Sequence, residues 1–72
     1  MNKLMHPPYS RFKGWLRENG LTYADIASDL GLSQSTISYK VNGQSDFFLS
    51  EVQAIREKYH LASEIFFTDN VA

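Results

Sequence analysis

Residues 22–43 read TYADIASDLGLSQSTISYKVNG, and the order of side chains in this stretch decides the fold. Thr22 is placed to cap a helix, because its hydroxyl can accept from an amide left unpaired in the first turn. Ile26, Ala27 and Leu30 then recur on one face at helical spacing. Gly31 stands where that helix must end and the chain reverse, a place that suits positive φ. Ala27 is small, so a following helix can cross close above it, and Leu32 plugs the turn into the core. Ser33 caps a second helix, in which Ile37 and Val41, four apart, turn inward. Gln34, Ser35, Ser38 and Tyr39 are left facing out, and Asn42-Gly43 stops the helix. So many positions agree that the segment reads as a helix-turn-helix rather than as a generic helical hairpin.

The flanks supply the rest of a core. Before the motif, a first helix is predicted over residues 9–19, with Tyr9, Phe12, Trp15 and Leu16 on one face and Arg11, Lys13, Arg17 and Glu18 on the other. Gly14 inside it costs up to about 1 kcal/mol relative to Ala. Either another backbone approaches there or the site is suboptimal. Gly20 ends that helix and Leu21 staples the next. After the motif, Gln44-Ser45-Asp46 is a polar loop, and Phe47-Phe48-Leu49 returns the chain to the core. Two adjacent Phe are hard to bury together in an extended loop, which leaves open whether one is an exposed anchor. A fourth helix over residues 49–59 would bury Leu49, Val52, Ile55 and Tyr59 and expose Glu51, Gln53, Arg56, Glu57 and Lys58. His60-Leu61-Ala62 is a turn, and Ser63 can cap a short last helix over residues 64–67. The expectation is an all-α, compact five-helix domain over residues 9–68. A poorly ordered leader (1–8) ending in Pro7-Pro8 and a short tail (69–72) flank it.

Seventy-two residues, 43% of them hydrophobic, make one core and no more. Five Phe, four Tyr and one Trp fill it efficiently. There is no Cys, so no disulfide or thiolate zinc site staples the fold, which fits a reducing cytoplasm. Nothing at the start resembles a signal peptide, and no stretch would span a membrane. His6 and His60 stand apart, with nothing to complete a metal site. No Ser-His-Asp set, paired carboxylate or glycine-rich phosphate loop stands out. Neither an enzyme, a metal, a cofactor nor a small-molecule substrate is expected. Seven Lys and Arg against eight Asp and Glu give a net charge of −1, an unusual balance for a domain that neutralises phosphates.

The run Phe12-Lys13-Gly14-Trp15-Leu16-Arg17-Glu18-Asn19-Gly20-Leu21-Thr22 resembles the Cro/CI-type helix-turn-helix family of phage and bacterial repressors. So do Ile26-Ala27, Leu30-Gly31-Leu32-Ser33, Ser35-Thr36-Ile37-Ser38 and Asn42-Gly43. Asp46-Phe47-Phe48-Leu49-Ser50-Glu51-Val52 and Glu64-Ile65-Phe66-Phe67 are similar to members from phages of low-GC Gram-positive bacteria. The resemblance covers residues 12–67 and implies a lambda-repressor-like domain that works in the cytoplasm of a bacterial host cell. Within it, the chain looks most like the modulators of repression of temperate lactococcal phages. It implies that the second motif helix is a recognition helix. Ser33, Gln34, Ser35, Ser38 and Tyr39 would then carry partner or base contacts, with Tyr23, Lys40, Asn42 and Gln44 as flanking or phosphate contacts. Gln suits an adenine edge, and Ser is permissive.

Three features depart from the family pattern. Tyr23 stands where a phosphate-bracing Gln is common. Gln44-Ser45-Asp46 stands where a basic loop often clamps the DNA backbone. Phe48 stands where a hydroxyl cap is usual. Lys40 is the only cation of residues 22–43, against Asp25 and Asp29. Two functions follow. In the favoured one, the chain binds the DNA-binding domain of a phage CI-type repressor, with Asp25, Asp29 and Asp46 complementing its cations, and reaches operator DNA directly or through that complex. In the other, it is a Cro-like operator binder acting alone, helped by Lys3, Arg11, Lys13, Arg17 and Lys40 within its first 40 residues.

Overall fold

The computed structural model describes residues 4–67. It contains α1 (Ser10–Glu18), α2 (Tyr23–Leu30), α3 (Gln34–Asn42), α4 (Leu49–Tyr59) and α5 (Glu64–Phe67), with no strand among the described residues. The fold is all-α, as the periodicity predicts. No helix among the described residues is long and apolar enough to cross a membrane. Residues 1–3 of the expected leader and the expected tail lie outside the described residues.

Local chemistry sets the helix ends. At α2 the Thr22 hydroxyl accepts from the Asp25 amide at 3.3 Å, and the Asp25 carboxylate accepts from the Thr22 amide at 2.8 Å. The amides at the start of the helix are thereby held by a reciprocal pair. Gly31 closes α2 at φ +70°, and the Leu32 amide folds back to the Ala27 carbonyl at 2.9 Å. The Ser33 hydroxyl accepts from the Thr36 amide at 3.1 Å and opens α3. Gly43 closes it at φ +100°.

The turn lays α3 across α2, and α4 packs on α2 from another side, so Ile26, Ala27, Ile37, Val41, Val52 and Ile55 are buried together. The rest of the core is aromatic. Phe12 stacks on Phe66 at 4.9 Å between ring centroids, which holds α5 to α1. Phe47 meets both of these rings edge-on. Trp15 is half-buried, stacked on Phe12 and edge-on to Tyr59.

Of the two adjacent phenylalanines, Phe47 is buried and Phe48 is 68% exposed. Leu49 corrects the expected stripe of α4, since it is 71% exposed rather than buried. It opens the helix one turn before Val52, and the apolar space at that end is already filled by Phe47, arriving from the loop. Phe48 is the N-cap and has no hydroxyl to offer. The Glu51 carboxylate reaches back instead and accepts from the Phe48 amide at 2.9 Å.

Residues 5–9 run along the end of α3. The Met5 amide donates to the Gly43 carbonyl and the Tyr9 amide to the Val41 carbonyl. Between them, His6 Nε2 donates to the carbonyls of Lys40 and Ser45 at 2.8 and 2.9 Å, and its ring stacks on Tyr9 at 4.2 Å. Gly43 makes room for this strap, because a Cβ there would lie 2.2 Å from the His6 carbonyl oxygen.

Candidate partner-binding face

The outward side of α3 is built by subtraction. Ile37 and Val41 take the buried stripe, so the opposite side of the helix, at Ser35 and Tyr39, emerges. Gln34 and Ser35 are exposed at the first turn, and Tyr39 is 53% exposed near the last. Ser33 is exposed, with its hydroxyl committed to the helix cap. Ser38 is half-buried, and its carbonyl accepts from the Asn42 side-chain amide at 2.9 Å. The freely offered chemistry is therefore an amide, a hydroxyl and a phenol, all neutral.

The flanking residues divide. Lys40 corrects the expectation of a surface cation. Only 7% exposed, it donates from Nζ to the Glu51 carboxylate at 2.7 Å. The same Nζ lies 4.4 Å from the centre of the Phe48 ring. Glu51 thus neutralises the one cation of the motif while also capping α4, and nothing in the spacing of Lys40 and Glu51 announces that pairing. Asn42 is half-buried, its side-chain Oδ1 accepting from Lys13 Nζ at 2.8 Å. Gln44 is exposed. Tyr23 is half-buried and lines an open cleft with Lys13, Arg17, Thr22 and Gln34, where α1 meets the starts of α2 and α3.

The three acidic residues each have an internal task. Asp25 closes the capping box of α2. Asp29 accepts from Lys58 Nζ and from the Tyr59 hydroxyl, tying α2 to the end of α4. These two hydrogen bonds, led by that from Lys58, hold the Asp29 carboxyl below its usual range. The same contact pushes the Tyr59 phenol up to about 12. Asp46 accepts from the Tyr9 hydroxyl and from the Phe47 amide, with His6 Nε2 at 3.4 Å. Burial, reinforced by the Asp46 hydrogen bond, pushes the Tyr9 phenol well above its usual range. The side chain of Asp46 is nevertheless 46% exposed, so one edge of this carboxylate still faces outward.

Sequence reasoning missed the His6 strap. Its signal was faint, a lone His before Pro7-Pro8, because the ring's partners are backbone carbonyls 34 and 39 residues away.

A protein-family model described as the BetR domain matches residues 14–72, more than four-fifths of the chain. No curated protein and no solved structure matches the chain.

Proposed function

The chain belongs to the BetR-domain family of phage-associated regulators, and from that premise we propose that it works mainly by binding the DNA-binding domain of a phage CI-type repressor. It would act there as an antirepressor or co-repressor in the choice between lysis and lysogeny. The resemblance to the lactococcal modulators of repression points the same way. The observation that carries the reading is the fate of Lys40. Duplex binding draws much of its affinity from cations that neutralise phosphates. The only cation of residues 22–43 is buried and paired with Glu51. What α3 offers outward is Gln34, Ser35 and Tyr39, groups that adapt well to the polar atoms of another protein.

A second reading, a Cro-like operator binder, is favoured by the cleft beside α3. There Lys13 and Arg17 stand near Gln34 and Tyr23, where a DNA backbone could run. Gel shift of an operator fragment, with and without the repressor domain, separates the two. The protein alone should shift operator DNA weakly, with a shallow dependence on salt, and should change the shift given by the repressor. Ser35→Arg sharpens the test, because Ser35 is exposed and outside the core. It should weaken a complex with a basic repressor surface and hold or raise DNA affinity. Tight, steeply salt-dependent operator binding without any repressor would favour the second reading.

A further inference from the structure

We propose that the interface with the repressor domain extends beyond α3 to the start of α4, where Phe48 and Leu49 form its apolar anchor and Asp46 its acidic rim. The inference rests on the repressor-binding reading above and names a second part of that surface.

Phe48 and Leu49 are consecutive large apolar side chains, 68% and 71% exposed. Exposing one such residue is ordinary, but two in sequence at a helix start make a patch that water solvates poorly. The patch adjoins the α3 face. Lys40, which follows the exposed Tyr39 in α3, lays its ammonium against the Phe48 ring and on the Glu51 carboxylate. These contacts hold the ring in place before any partner arrives, which lowers the ordering cost of binding. They also remove the local positive charge.

The remaining rim decides the occupant. Ser50 and Gln53 are exposed and neutral, and Asp46 keeps its carboxylate 46% exposed. An apolar centre with a neutral and acidic edge is the anatomy of a protein interface, not of a phosphate track. Its complement is an apolar hollow bordered by Lys or Arg. A repressor's DNA-binding domain carries such cations on the surface that meets phosphates. The Phe48 ring would fill the hollow, and Asp46 would face a cation on its edge.

The test measures binding of the full chain to the isolated repressor DNA-binding domain by calorimetry, with sedimentation of the free protein beside it. Phe48→Ser and Leu49→Ser should each weaken the complex about tenfold or more, as expected for an apolar anchor. Asp46→Asn, which keeps an acceptor for the Tyr9 hydroxyl, should weaken it mainly at low salt. If Phe48→Ser fails to fold by circular dichroism, Leu49→Ser decides alone. Affinities within about twofold of wild type for the anchor variants, with Ser35→Arg still disruptive, would overturn the anchor and leave the repressor-binding reading standing. Absence of any complex with the wild-type chain would remove both. A wild-type dimer that Leu49→Ser dissociates, with repressor affinity unchanged, would assign the patch to a second copy and overturn the proposal.

Discussion

Two glycines of this chain have opposite characters. A Cβ at Gly14 would meet nothing within 4 Å, and the residue sits inside α1 at ordinary helical φ. Of the two explanations its sequence position allows, a close backbone is excluded and a suboptimal helix site remains. Gly14→Ala should therefore stabilise the domain by up to about 1 kcal/mol, read from the denaturant midpoint. At Gly43 the same substitution meets both a positive φ and the His6 carbonyl. It should cost more than about 1 kcal/mol in the same assay. Tyr59 makes a prediction in pH. Its phenol is raised in the folded state by Asp29, so its stabilising contribution is complete below the unfolded value near 10 and is lost as pH climbs towards about 12. Tyr59→Phe should lose less stability than wild type between these limits, measured as the urea midpoint against pH. Lys40 shows why its own role was illegible. A lysine three residues after the buried Ile37 carries no mark that a glutamate eleven residues later will pair with it.

At the scale of the element, what was legible was whatever a few neighbouring residues decide. The Thr22 cap, the left-handed Gly31 and the Ser33 cap act within three or four residues, and α2 and α3 begin and α2 ends where these residues say, though the reciprocal part of Asp25 in the first cap went unread. The boundaries of α4 and α5 follow equally from local pattern. The buried face of α4 was legible at Val52 and Ile55 but not at Leu49. Periodicity gives an angle around the axis and says nothing of whether the core extends that far along it. Candidate site residues divide on the same line. The exposure of Ser35 and Tyr39 follows from helix phase and that of Gln34 from its place at the helix start, whereas the pairing of Lys40 and the internal commitments of Asp29 and Asp46 depend on contacts distant in sequence. The core reading itself is testable at Ile37, which is fully buried where α3 crosses α2. Ile37→Ala should destabilise by about 2–5 kcal/mol in urea denaturation, a large share of a small domain's stability.

For the whole molecule, a net charge of −1 and a motif face without a free cation make a weak electrostatic attractor for duplex DNA. Association with a repressor should accordingly depend on salt through the partner's cations more than through those of this chain. The strap at residues 5–9 has a further consequence, and it lies in time rather than in space. His6 reaches carbonyls 34 and 39 residues away, so its contacts must close long loops of chain. Loop closure of that length is entropically unfavourable until the helices between have already docked. The strap should therefore fasten after the main folding barrier and come loose before it on the way out. His6→Ala should speed unfolding and leave the refolding rate nearly unchanged in stopped-flow denaturant jumps. Residues 5–9, made before the helices they fasten, would be the last to find their place, tying off α3 only once that helix has docked.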